Sequence, residues 1–150
     1  MKRSSKNFSV YVFFAVVIAL IVLLVINFSK QAKIPENEII SRNGLHWHPR
    51  LTITIQDKEL EIPANIGLGL TESPIHTHDA LGEIHLEFTG LVTQDDIRLK
   101  KFFKVWKKPF NQNQILDYTG RVRFLVNGQE NHDYGEYIMR DKDKLEIIAE

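Results

Sequence analysis

The sequence contains no cysteine among its 150 residues. Disulfide staples are therefore excluded, and so is any thiolate metal site. Methionine is scarce, at two residues, which argues against a soft Cu(I) site. No phosphate-cradling loop is expected, because Gly67 and Gly69 in "NIGLGL" lack the G-x-G-x-x-G spacing and a following helix. No G-x-S-x-G nucleophile elbow occurs either.

Charge is missing altogether between Lys6 and Lys30. Within that gap residues 10–26 read "VYVFFAVVIALIVLLVI", with Tyr11 the one polar side chain. Extended by Phe8, Ser9, Asn27 and Phe28, the run is long enough for a helix to span the roughly 30 Å hydrocarbon core. Lys2, Arg3 and Lys6 precede it, so the positive-inside rule places the N-terminus in the cytoplasm and the rest of the chain outside. A cleaved signal peptide is the rival, but its apolar region would be shorter, and "NFSKQAK" is a poor cleavage site. The expected organisation is a membrane anchor over residues 1–30, a polar tether over 31–44 and an extracytoplasmic domain over 45–150. The expected address is the plasma membrane, crossed once.

The whole chain has a formal charge of zero. Four of the 19 basic residues and none of the 19 acidic ones fall in residues 1–30, which leaves 31–150 with a net charge of −4. An acidic domain outside the cytoplasm is a poor nucleic-acid binder, and none is expected as partner. No protein partner can be named from the sequence.

The domain begins with "LTITIQDKELEIP", an alternating hairpin with a turn expected at Asp57-Lys58. A loop follows at "PANIGLGL", then a strand at "EIHLEF" with Ile84, Leu86 and Phe88 on one face. "TQDD" predicts a helix capped by Thr93 with Asp96, burying Leu99, Phe102, Phe103 and Trp106, and stopped by Pro109. The lysines and arginines beside it read as a solvated face. "RVRFLVNGQE" and "KLEIIAE" complete the strands, with Asn127-Gly128 as a tight turn. The expectation is α+β: an N-terminal transmembrane helix, then a small β-grasp-like domain with one main helix packed on a mixed sheet.

Residues 121–148, "RVRFLVNGQE…YIMRDKDKLEII", resemble the β-grasp pattern of ubiquitin-like and sulfur-carrier proteins. That resemblance implies fold alone: sulfur carriers end in Gly-Gly, and this chain ends Ile-Ala-Glu. The outer domain also resembles an uncharacterised family of secreted or membrane-anchored bacterial and archaeal proteins. Its marks here are His46 and His48, the "PANIG" loop, "HTHD", Gly82, "IHLE" and "FFKVW". The resemblance implies an extracytoplasmic address and no stated activity.

Five of the six histidines gather in "HWHPR" and "PIHTHDALGEIHLE". In an extended chain residues i and i+2 share a face, so His46 pairs with His48, His76 with His78, and His85 with Glu87. If their segments are neighbours in a sheet, the pairs converge. Imidazole suits Zn²⁺ and Cu²⁺. The candidate metal ligands are thus His46, His48, His76, His78, His85 and Glu87, with Zn or Cu(II) as cofactor. Asp79 and Glu87 are candidate bases for a metal-bound water. His132 lies in a polar, turn-rich stretch and is a weaker candidate.

"GLTESPIHTHDALGEIHLEFTG" also resembles the first cupin motif, through Gly69, His76, His78, Glu83 and Gly90. That resemblance implies His76, His78 and Glu83 as ligands, but the second cupin motif is missing. The favoured function is a membrane-anchored, extracytoplasmic metal-binding module. No catalytic residue is assigned. The alternatives are a metal-dependent enzyme, cupin-like or hydrolytic, a metal-free adhesion or assembly module recruiting a partner strand at a sheet edge, and a hydrogen-bonded polar cluster.

Overall fold

The structure is a computed structural model that describes the backbone of residues 4–29 and 34–150; within the first helix, side chains are described for residues 8 and 10–25. The chain divides into two compact units, Met1–Ile34 and Pro35–Glu150. Among its described residues the first holds the helix α1 (Ser4–Ser29), whose described side chains are almost all exposed. Among the described residues no helix is long and apolar enough to cross a membrane. The outer parts of the expected span, Ser9 and residues 26–28, have no described side chains, and residues 31–33 of the expected tether lie outside the described residues.

The second unit is mixed α and β. In chain order its strands begin with β1 (Ile39–Ser41), β2 (Leu45–Trp47), β3 (Arg50–Ile55) and β4 (Lys58–Leu60). Next come β5 (Ile75–His76), β6 (His85–Phe88) and β7 (Val92–Thr93), and then the helix α2 (Leu99–Trp106). Three short strands follow, β8 (Phe110–Asn111), β9 (Gln114–Ile115) and β10 (Tyr118–Thr119), and then β11 (Val122–Val126), β12 (Gln129–Glu130) and β13 (Lys144–Ala149).

The main sheet has five strands in the order β12-β11-β13-β3-β4. Its two central strands, β3 and β13, run parallel, from Lys144 opposite Arg50 to Ala149 opposite Ile55. The outer neighbours are antiparallel hairpins. Alternation dictates which face is covered: Leu51 and Ile53 of β3, Val122 and Phe124 of β11, and Leu145 and Ile147 of β13 are all buried. Helix α2 adds Leu99, Phe102 and Phe103 to that core. Phe103 stacks on Phe110 at 4.7 Å, and Phe110 meets Phe124 edge-on at 5.7 Å, so an aromatic chain joins helix to sheet.

Several expectations shift by a few residues. The first hairpin turns at Gln56-Asp57, where both residues have positive φ (49° and 62°), rather than at Asp57-Lys58. Two left-handed residues match the strand twist in a two-residue turn. Helix α2 starts at Leu99, not after Thr93. Asp96 does accept from the Thr93 N–H and hydroxyl, but Arg98 is extended (φ −71°, ψ 141°) and separates this turn from the helix. The helix ends at Lys107, which adopts a left-handed conformation ahead of Pro109. Ile39–Ser41, inside the expected tether, pairs with β7 as a strand. On the helix, Lys100 binds Glu136 at 2.8 Å and Lys101 binds Asp95 at 2.6 Å. These exposed pairs contribute little to stability.

A second sheet of three strands, β2-β6-β5, takes its first strand from before β3 and its other two from between β4 and α2. It leans on the main sheet where the Leu51 N–H donates to the Gly82 carbonyl (2.8 Å) and the Ile84 N–H to that of Pro49 (2.9 Å). This smaller sheet carries the histidines. The described strands pair into four separate sheets and do not close into a barrel, so a cupin double-sheet barrel is not formed.

Candidate metal centre

Strand β6 is the centre of the three-stranded sheet, and its alternation builds the site. His85 and Glu87 point one way, while Leu86, fully buried, points into the core between Trp47 of β2 and Ile75 of β5. The register then sets His46 directly opposite Glu87 and His76 directly opposite His85. Directly opposed residues in antiparallel strands share a face, with Cβ atoms about 5 Å apart. Four of the six candidate ligands are thus brought together by strand pairing alone.

His48 and His78 lie just beyond the ends of β2 and β5. The His48 N–H is held by Asp141 Oδ1 at 3.0 Å. His78 is positioned through its buried neighbour Thr77, whose hydroxyl donates to the Pro63 carbonyl (2.8 Å) and accepts from the Ile66 N–H (3.1 Å). The "PANIG" loop therefore acts as the splint for the His76-Thr77-His78 segment. Gly67 closes it with φ +79°, where a Cβ would run into the Ile75 carbonyl.

The side chains form a pit graded from buried to open. His76 is 1 % exposed, His85 16 %, Glu87 38 % and His46 63 %. At the base, His76 Nδ1 lies 2.9 Å from the Ser73 carbonyl. A carbonyl can only accept, so Nδ1 is the donor in this contact, which in the neutral ring leaves Nε2 as the acceptor. That Nε2 sits 3.1 Å from His78 Nε2. Two nitrogens bound tetrahedrally at about 2.0–2.1 Å from one zinc ion would be about 3.3 Å apart. Glu87 Oε1 stands 3.2 Å from His46 Nε2, 3.3 Å from His85 Nδ1 and 4.0 Å from His76 Nε2. The rings pack continuously: His46–His48 and His48–His85 at 4.7 Å, His78–His85 at 4.4 Å.

Burial, and then the neighbouring imidazoles of His78, His48 and His76, depress the pKa of His85; its hydrogen bond to Glu87 opposes them without prevailing. His85 is thereby kept neutral, the form a metal requires. Burial draws Glu87 upward, but the His85 hydrogen bond and the charges of His46, His76 and His85 together outweigh it and hold the carboxyl below its usual value. An ionised Glu87 carboxylate thus stands 3.3 Å from the His85 ring.

Two groups of four have ligand atoms all within 4.8 Å of one another: His46, His48, His85 and Glu87, and His76, His78, His85 and Glu87. Every one of the six candidate residues falls in one group or both, close enough to hold a metal ion. His132 and Asp79 belong to neither; Asp79 caps a turn by accepting the Leu81 N–H at 2.9 Å. Two contacts were not foreseen. Glu72 approaches His76 Nε2 to 3.6 Å, and Ser73 fixes the His76 tautomer. Neither belongs to an alternating pattern; each comes close through the loop leading into β5. Glu83 lies 3.5 Å from His85 Nε2, a place suited to a carboxylate that orients a ligand histidine. A shallow depression of ≈ 530 Å³, lined by Leu45, His46, Glu87 and Phe88 among others, opens beside the pit.

No protein-family model, no curated protein and no solved structure matches this chain.

Proposed function

We propose that the protein is a membrane-anchored, extracytoplasmic metal-binding module that takes Zn²⁺ or Cu²⁺ on its histidine cluster. The observation carrying this reading is that the Nε2 atoms of His76 and His78 stand 3.1 Å apart, with the opposite nitrogen of His76 tied to a backbone carbonyl. That is how ligand histidines are oriented before a metal arrives. The donor set, all imidazole and carboxylate, fits zinc or cupric ions. The proposed ligands are His46, His48, His76, His78, His85 and Glu87, with Ser73 and Glu83 orienting His76 and His85.

The anchor rests on the composition of residues 10–26, a charge-free run in which Tyr11 is the one polar side chain. The basic N-terminus supports an N-in, single-pass arrangement in the plasma membrane. The fold reading is a β-grasp sheet: two hairpins flank a helix in sequence, and the first and last sheet strands lie parallel at the centre. Two strands of the histidine sheet, β5 and β6, are then an insertion between the first hairpin and the helix, and β2 precedes that hairpin. These features also accord with the secreted or membrane-anchored family that the motifs resemble.

Titration calorimetry of the untagged full chain with Zn²⁺ and Cu²⁺ tests the reading. Micromolar or tighter binding is expected, weakened at least 100-fold when His46, His48, His76 and His78 are all replaced by alanine. Equal affinity in the variant would sink it. A second reading, a metal-dependent hydrolase, draws on the depression beside His46 and Glu87. It requires turnover that Glu87→Gln abolishes while metal is retained.

A further inference from the structure

The two groups of four share His85 and Glu87 but divide the H-x-H pairs between them: His46 and His48 on one side, His76 and His78 on the other. The four nitrogens of the two pairs, with His85 and Glu87, do not form one group of mutually close atoms. A single tetrahedral ion needs four ligands at about 2.0–2.2 Å and would leave one whole pair idle. Yet the site orients both pairs with equal care, one through Asp141 at His48 and one through Thr77 and Ser73.

Resting on the metal reading above, we propose that the cluster is a binuclear centre for two divalent transition-metal ions, bridged by the Glu87 carboxylate. His46 and His48 hold one ion and His76 and His78 the other. Glu87 is placed for the bridge: its Oε1 reaches His46 Nε2 at 3.2 Å and His76 Nε2 at 4.0 Å, one ligand from each side. His85, between the pairs, completes one ion, with Glu83 near its second nitrogen. The two H-x-H pairs, His85 and both Glu87 oxygens supply seven donors. Two tetrahedral ions need about eight, so one position is left for water. Ions that share a carboxylate lie about 3.5–4 Å apart.

Charge supports the assignment. Glu72, Glu83 and Glu87 surround the imidazoles, and among the described residues their ion-pair partners are histidines alone. Three carboxylates offset most of the charge of two divalent ions. One ion would leave this pit with excess negative charge and a pair of unused imidazoles.

The test uses the untagged full chain, stripped with a chelator, reconstituted with Cu²⁺ or Zn²⁺ and desalted. Elemental analysis is expected to give two metal ions per chain. The dicopper form is expected to show spin coupling by electron paramagnetic resonance, including a half-field transition. His46→Ala/His48→Ala and His76→Ala/His78→Ala should each retain one uncoupled Cu²⁺, with tryptophan fluorescence reporting that each is folded. One ion per chain in the unmutated protein overturns the binuclear centre while leaving the metal-binding reading intact. Two uncoupled ions overturn the shared Glu87 bridge. No bound ion overturns both readings.

Discussion

Gly82 links the two sheets, and replacing it tests how the histidine sheet is held. Its φ is +75°, and a Cβ there would run into the carbonyl oxygen of Leu51. The left-handed conformation costs Gly82→Ala about 1 kcal/mol or more. The clash adds about 1–3 kcal/mol, because the obstacle is backbone in the central strand β3 and cannot rotate away. The sum is about 3 kcal/mol, or roughly 10 °C in Tm for a unit of this size. Gly128 provides the control. Its φ is +80° but a Cβ would meet nothing within 4 Å, so Gly128→Ala should cost only about 1 kcal/mol. Both tryptophans, Trp47 and Trp106, lie in the Pro35–Glu150 unit, so urea unfolding followed by their fluorescence reads this unit. Gly82→Ala should also weaken Zn²⁺ binding at least tenfold, because His85 follows three residues later. Equal destabilisation by the two substitutions would refute the argument from the Leu51 contact.

Other expectations follow from the same packing and hydrogen bonds. Asp143 is 6 % exposed and accepts from Asn127 Nδ2 (3.0 Å), the Tyr137 hydroxyl (2.8 Å) and the Arg140 N–H (2.8 Å); Asp143→Ala should cost about 3 kcal/mol in urea unfolding by stranding these donors. Burial, then the Asp143 hydrogen bond, push the Tyr137 phenol far above its ordinary pKa; a spectrophotometric titration should therefore show one tyrosine that ionises only on unfolding. Phe124 is fully buried at the join of sheet and helix, and Phe124→Ala should cost about 3–5 kcal/mol by the same assay. His85 has a depressed pKa when folded, so the unfolded chain takes up the proton first. Its contribution to apo stability is therefore full above pH 6.5 and is lost as pH falls below 6.5 toward the lower folded value, a slope that His85→Asn should reduce.

What the sequence made legible is what local pattern encodes. Alternation marked β3, β11 and β13, and Asn127-Gly128 adopts the paired positive φ values (53° and 80°) of a tight hairpin turn. The i, i+2 rule grouped the histidines correctly within each pair. The convergence of the pairs was conditional on which strands are neighbours, and that is a long-range matter. His46 opposes Glu87 across 41 positions of chain, and no local pattern states that register. Glu72 and Ser73 escaped notice because a loop delivers them, with no periodicity to mark it. The helix start was misplaced because the Thr93–Asp96 bond looks in sequence like a cap, while the extended Arg98, bridged to Ile138, postpones the helix. The strand at Ile39–Ser41 is too short to announce itself and exists through its pairing with β7.

Elemental analysis of the full chain, expressed and purified without a histidine tag, tests the central claim most directly. The account predicts bound zinc or copper in the unmutated protein and its loss in a variant with His46, His48, His76 and His78 all replaced by alanine. An unmutated protein that is folded by tryptophan fluorescence yet carries no transition metal, even after reconstitution with excess Zn²⁺ or Cu²⁺, would contradict it.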